Sequence, residues 1–239
     1  KLFYERFLKN EEITLFSPHD VKGLYETFGT PEFDALYEKY ERATSIPKTK
    51  VGARELITNL LKERAETGRI YIMNIDHCNE HSSFLDKVNM SNLCQEITLP
   101  TDPIEHIDGE GEIALCILSA VNVGIVKEEE LENLCDLAVR GLEELIDYQQ
   151  YPVEAAERST LARRSLGIGY IGLAHFLAKN KVKYDDPKAW ELVHELTESF
   201  QYNLLRASNN IAKERGACEY FDRTKYAQGL LPIDHYKKD

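Results

Sequence analysis

The run IALCILSAV, residues 113–121, has almost no polar break, and it constrains the architecture of this chain more than any other stretch. A strand with one wet face alternates apolar and polar residues, whereas continuous apolar character is expected where both faces are covered. Residues 113–123 are therefore expected to form an interior strand, which needs helices to cover it. Two long amphipathic segments can do so. Residues 127–149 open with Glu128, Glu129 and Glu130, which suit the positive end of a helix dipole, and carry Leu131, Leu134, Cys135, Ala138, Leu142, Leu145 and Ile146 on one face. Residues 187–214 follow Asp186-Pro187, place Trp190, Val193, Phe200, Leu204 and Ile211 inward, and stop at Gly216. Strands separated by such helices predict an α/β fold with a mainly parallel sheet.

Upstream, residues 1–68 read as mainly helical. Thr30-Pro31 is an N-cap followed by proline in the first turn, and 51–67 carries Leu56, Leu60 and Leu61 before Gly68 ends it. RIYIMNI at 69–75 then has strand composition, and 92–99 is a second extended-looking stretch. With no internal repeat and no low-complexity linker, one domain over 1–239 is expected, its 69–239 part carrying strands, helices and the chemistry.

Composition excludes several classes. At 239 residues and 43% hydrophobic, the chain can bury a substantial core. A formal charge of −12 argues against a nucleic-acid surface, which needs clustered Lys and Arg. No run approaches the roughly 20 apolar residues that span a bilayer, so no membrane association is expected. The first residues, KLFYERFLKN, lack a signal-peptide pattern, which points to the cytoplasm. Five cysteines, at 78, 94, 116, 135 and 218, form no CxxC pair and read as free thiols.

Chemistry enters at Ser91-Asn92-Leu93-Cys94-Gln95-Glu96-Ile97. If the segment is extended, Asn92, Cys94 and Glu96 share one face, while Leu93, Gln95 and Ile97 share the other. An amide, a thiol and a carboxylate on one surface could orient a polar substrate, act through sulfur and take a hydroxyl proton. A single cysteine near a strand is more commonly a small buried hydrophobe, so the pattern alone leaves both readings open.

The stretch SNLCQEITLPT at 91–101, followed by GEIALCILSAVN at 111–122, closely resembles the active-site region of the large, catalytic subunit of class I ribonucleotide reductase. The resemblance continues through NEEITLFSPHDV at 10–21, TGRIYIMNIDHCNEHS at 67–82, LARRSLGIGYIGLAHFLAK at 161–179, ERGAC at 214–218 and YAQGLLPIDHYKKD at 226–239. It covers essentially the whole chain in order. By position, Cys94 matches the cysteine that becomes a thiyl radical and removes the 3′ hydrogen of the substrate ribose. Glu96 matches the base for the 3′ hydroxyl, and Asn92 the amide that hydrogen-bonds the substrate. Cys116 matches one of two cysteines that form a redox disulfide, its partner lying outside this chain. Gln95 stands where related sequences often have Leu.

The resemblance implies an internal fragment, part of a ten-stranded α/β barrel with a helical N-terminal part, which this portion cannot close by itself. It also implies an enzyme reducing ribonucleoside diphosphates for DNA synthesis. No cofactor or metal is expected on this chain; the radical would come from a metal-containing small subunit, and electrons from an external dithiol such as thioredoxin or glutaredoxin. Implied partners are the remainder of the large subunit, a second large subunit and the small subunit.

Two other classes compete. Gly167-Ile168-Gly169-Tyr170-Ile171-Gly172 is a literal GxGxxG, which would suit a dinucleotide-binding oxidoreductase, but the preceding ERSTLARRS is polar where a Rossmann strand is apolar. Close packing of a strand and helix is the expected use of these glycines. A noncatalytic scaffold would instead bury Cys94 without a cavity. His77-Cys78-Asn79-Glu80-His81 lacks a second ligand pair for zinc and reads as a turn after the 69–75 strand. Cys135, on a helix stripe, and Cys218, past a helix end, read as structural thiols.

Overall fold

The computed structural model describes residues 1–106 and 109–236. It divides into two compact units, one spanning Lys1–Leu99 and including the segment that starts at Pro232, the other spanning Pro100–Leu231. The last three residues of the 226–239 motif, and residues 107 and 108, lie outside the described residues.

The first unit contains α1 (Leu2–Lys9), β1 (Glu12–Phe16), α2 (Pro31–Arg42), β2 (Lys48–Gly52), α3 (Ala53–Thr67) and α4 (Ile75–His81). Thr30 is the N-cap of α2, with Pro31 in its first turn, and Gly68 ends α3 in the left-handed conformation, both as the sequence predicts. β1 and β2 pair antiparallel from Glu12↔Gly52 to Phe16↔Lys48. Tyr37 ties this unit together. Its hydroxyl donates to the Thr14 carbonyl at 2.6 Å and accepts from the Thr14 amide at 2.7 Å. Arg6 lies over its ring and forms a fork on Glu41, with both contacts at 2.7 Å. A planar guanidinium matches a carboxylate in this way, so the pair fixes α1 against α2 in orientation as well as distance. Glu41 is held below the usual carboxylate range, first by the Arg6 hydrogen bond.

The second unit is built on β3 (Ile117–Asn122), α5 (Glu128–Tyr148), α6 (Glu154–Arg163), β4 (Leu166–Ile171), α7 (Leu173–Lys179) and α8 (Pro187–Arg215); α9 (Pro232–Tyr236) then belongs with the first unit. β3 and β4 are parallel, paired from Ile117↔Leu166 to Asn122↔Ile171. Such a connection needs a long crossover, which α5 and α6 supply. Leu131 and Cys135 of α5 and Phe200 of α8 form a core against Val121, Ile168 and Tyr170. Val139, Ala207 and Ile211 continue it toward Leu166. The N-terminus of α5 is capped by Glu130, whose carboxylate accepts from the Lys127 amide at 3.1 Å. Asp186 caps α8 by accepting from the Lys188 amide at 2.9 Å.

The fold is α/β, as the sequence predicts, and no barrel closes among the described residues, whose strands form two separate two-stranded sheets. Several local expectations are corrected. Among the described residues, helices cover only one face of β3 and β4: Leu118 is 56% exposed and Ile171 55%. The stripe of α5 runs through Val139, with Leu145 outside it. Trp190 of α8 is exposed. Residues 69–74 are irregular, with Tyr71 and Ile72 exposed, and the HCNEH segment forms the helix α4 rather than a turn. Strand composition makes a strand only where a neighbouring strand supplies the ladder, and 69–75 has no such partner among the described residues.

Candidate active site

The 92–99 stretch is not extended throughout: residues 92–97 form a tight, self-closing turn. The Asn92 amide donates to the Ile97 carbonyl at 3.2 Å, and the Ile97 amide donates back to Asn92 Oδ1 at 3.0 Å. Inside this closure the Gln95 amide donates to the Asn92 carbonyl at 3.2 Å, and Gln95 takes φ +64°. A left-handed residue reverses the chain, so the strict alternation expected of a strand does not apply. Cys94 and Glu96 are nonetheless both exposed, as is Asn92, while Gln95 is half-buried. Gln95 thus turns away from its neighbours through the left-handed turn, and not through pleating.

Gln95 lines a shallow pocket of about 220 Å³ with Ile72, Met73, Asn74, His77, Cys78, Ser91 and Thr98. α4 forms one wall, and Asn79 on that helix fastens the approach to the turn. Its Nδ2 donates to the carbonyls of Ile75 and Val88, both at 2.9 Å, and its Oδ1 accepts from the Val88 amide at 2.8 Å. Val88 is fully buried. This amide staple has only a faint sequence signal, a lone Asn in a short polar segment. The described residues contain no group of three or more side chains able to hold a metal ion.

Cys116 lies in the second unit, at the entrance to β3, and is half-buried. Burial pushes its thiol above the ordinary cysteine range, because a thiolate there would lose hydration. Its segment is anchored on both sides. The Ile113 amide donates to the Ala155 carbonyl at 3.1 Å, and the Ile117 amide to the Ser165 carbonyl at 3.2 Å. Just before it, buried Glu112 accepts from Arg163 Nε at 2.6 Å and Nη2 at 3.1 Å, and Arg223 Nη1 lies 3.6 Å from the same carboxylate. The Tyr220 ring packs with both guanidiniums, at 5.1 Å from Arg163 and 4.1 Å from Arg223. Sequence reasoning missed this cluster. Its one signal was a carboxylate immediately before an apolar run, since a charge entering a core needs a partner.

All five cysteines are free thiols. Cys135 is fully buried on the α5 stripe and Cys218 half-buried, and burial raises both above the ordinary range. The GxGxxG motif does not form a phosphate turn. Gly167 and Gly169 lie within β4, paired with Leu118 and Ala120, and the preceding ERSTLARRS carries the C-terminal part of α6, whose Ser159, Thr160 and Arg163 are buried. Gly172 alone sits at the strand-to-helix junction, at φ +81°, where a Cβ would lie 2.3 Å from Asn122 Oδ1. Gly167 and Gly172 serve close packing, against Leu118 and Cys116 and against Asn122 respectively, whereas Gly169 has open space where a Cβ would stand.

Residues 1–239 match the family described as ribonucleotide reductase, barrel domain. The chain is 58% identical to the ribonucleoside-diphosphate reductase subunit alpha of Haemophilus influenzae and 54% identical to the Escherichia coli K12 ribonucleoside-diphosphate reductase 1 subunit alpha. In both cases 100% of this chain aligns with 32% of the relative. The corresponding subunit of phage T4 is 42% identical over 99% of this chain and 32% of its own length. The chain therefore spans about a third of the curated relatives it matches.

Proposed function

Because this chain belongs to the ribonucleotide reductase barrel-domain family, we propose that it is a portion of a catalytic subunit that reduces ribonucleoside diphosphates to deoxyribonucleoside diphosphates. The observation that carries this reading is the closed 92–97 turn, which presents Cys94 to solvent between Asn92 and Glu96. A turn fixed by its own backbone can hold a sulfur at a defined point without burying it. That suits a group that must meet a substrate.

In this reading Cys94, as a thiyl radical, takes the hydrogen from C3′ of the ribose and becomes a thiol. Glu96 accepts the 3′ hydroxyl proton, and Asn92 holds the sugar by hydrogen bonds. Cys116 and a cysteine outside this chain together give up two electrons and two protons as their disulfide forms. One hydrogen ends on C2′ and the other leaves with the 2′ oxygen as water. Glu96 then returns its proton to the 3′ oxygen and Cys94 its hydrogen to C3′, which regenerates the carboxylate and the radical, and an external dithiol such as thioredoxin or glutaredoxin reduces the disulfide. The radical originates on a metal-containing small subunit, and the remaining large-subunit segments and a second large subunit complete the assembly. The protein works in the cytoplasm; no helix among the described residues is long and apolar enough to cross a membrane.

The test is Cys94→Ser in the complete large subunit, assayed with its small subunit. Serine is close to cysteine in shape, but an alcohol is not readily oxidised to a radical that abstracts hydrogen from carbon. Nucleotide reduction should be abolished while nucleotide binding persists. Substantial reduction by this variant would sink the reading. The 239-residue portion alone should show no turnover.

A further inference from the structure

We propose that Gly167 is a positioning residue for the Cys116 thiol, the absence of a side chain at 167 forming the seat in which the sulfur rests. The register pairs Gly167 with Leu118, and Cys116, two residues before Leu118, faces the same side of the strand pair. A Cβ built on Gly167 would stand 2.5 Å from Leu118 Cδ2 and 3.0 Å from Cys116 Sγ. Gly169, in the same strand and on the same face, would have nothing within 4 Å of its Cβ. Glycine weakens a strand interior, and the backbone at 167 is not left-handed, so conformational need does not explain its presence. What the site requires is space, and the group that occupies it on the Cys116 side is sulfur.

The functional meaning of this seat rests on the reading of Cys116 as a reducing thiol, although the geometry does not. A thiol that must pass from a free rotamer to a disulfide and back needs room to turn about χ1. The backbone on either side is pinned at Ile113 and Ile117, so the side chain has to supply that motion. A methyl group at 167 would fill the space, press on the sulfur and remove one direction of approach to it.

The experiment uses the complete large subunit with its small subunit, and compares Gly167→Ala with Gly169→Ala. Three quantities are read: the alkylation rate of Cys116 by iodoacetamide, resolved by mass spectrometry, the kcat and KM for nucleotide reduction, and the melting temperature. Gly167→Ala should slow Cys116 alkylation and kcat by about threefold to tenfold, the cost of holding a side chain off its preferred rotamer, with KM and melting temperature preserved. Gly169→Ala should match wild type in all three. Leu118→Ala/Gly167→Ala removes the 2.5 Å conflict and leaves the sulfur contact, so it should keep the slowed alkylation relative to Leu118→Ala. Wild-type alkylation in Gly167→Ala, an equal loss in Gly169→Ala, or full recovery in the double variant would each overturn the proposal. Should Gly167→Ala fail to fold, the double variant decides the matter, and its failure to fold would also overturn the proposal, since one sulfur contact does not unfold a protein. Full activity in Cys116→Ser would remove the reducing role while leaving the alkylation result to stand by itself.

Discussion

The Cys94 turn and the Cys116 segment hold their sulfurs by opposite means. Cys94 is exposed on a turn closed by its own hydrogen bonds, in the unit where Asn79 and Tyr37 do the fastening. Cys116 is half-buried, with a thiol raised by that burial, and is held by strand pairing, a buried ion cluster and a missing side chain across the ladder. Local closure fixes a group without desolvating it. Packing fixes a group at the cost of hydration, and thereby changes its chemistry.

The comparison breaks hardest at Glu96. If the turn is where substrate is handled, Glu96→Gln keeps the size and hydrogen bonding but cannot accept a proton. The complete enzyme should bind substrate and lose about 10²–10⁴-fold in kcat, the usual contribution of a positioned acid or base. An unimpaired variant would mean that the turn has been given the wrong role.

The packed side is tested by Arg163→Ala, which leaves Glu112 buried with its main partner gone. Side-chain exposures of 3% and 5% place this pair in the interior, where removing one member costs about 3–5 kcal/mol. Thermal or denaturant unfolding of the complete subunit should show that loss, with Cys116 becoming more accessible. Arg223, at 3.6 Å, cannot substitute fully. A loss below about 1 kcal/mol would place the pair among exposed ones and remove the contrast.

Asn92 sharpens the other side, because its Oδ1 closes the turn in addition to any contact with substrate. Asn92→Ala should loosen the turn by about 0.5–1.5 kcal/mol, the net value of one hydrogen bond. Asn92→Asp retains an acceptor and should keep the closure. Amide exchange at Ile97 distinguishes the two, and equal protection in both variants would show that the backbone pair closes the turn unaided.

The smallest effect is in thiol chemistry. A raised Cys116 pKa means a smaller thiolate fraction at any pH below that pKa, and the thiolate is the form that reacts. Below its own pKa, Cys116 should be alkylated more slowly than exposed Cys94, and its rate should go on rising with pH beyond the range of an ordinary thiol. A Cys116 rate equal to that of Cys94 across the pH range would contradict the burial.

Much was legible in the sequence, and the reason is the same in each case: the signal was local. Thr30-Pro31, the acidic start of the helix at 128, Asp186-Pro187 and Gly216 mark helix ends through groups within a turn of the boundary. The apolar run at 113–121 announced β3 and the helices over one of its faces, although the strand is confined to Ile117–Asn122 and residues 113–116 precede it. The candidate residues Asn92, Cys94, Glu96 and Cys116 could be named from motif order, although their roles remain the reading proposed above. Only tertiary structure decided what depends on partners far along the chain. Residues 69–75 have strand composition but no ladder, and a non-glycine residue at φ +64° in the Gln95 turn is rarely announced by sequence. Glu112 meets Arg163 across 51 positions, and Gly167 meets Cys116 across a parallel ladder. Periodicity and capping are encoded within a few residues, whereas a buried charge or an empty site beside a sulfur takes its meaning from whatever the fold brings against it.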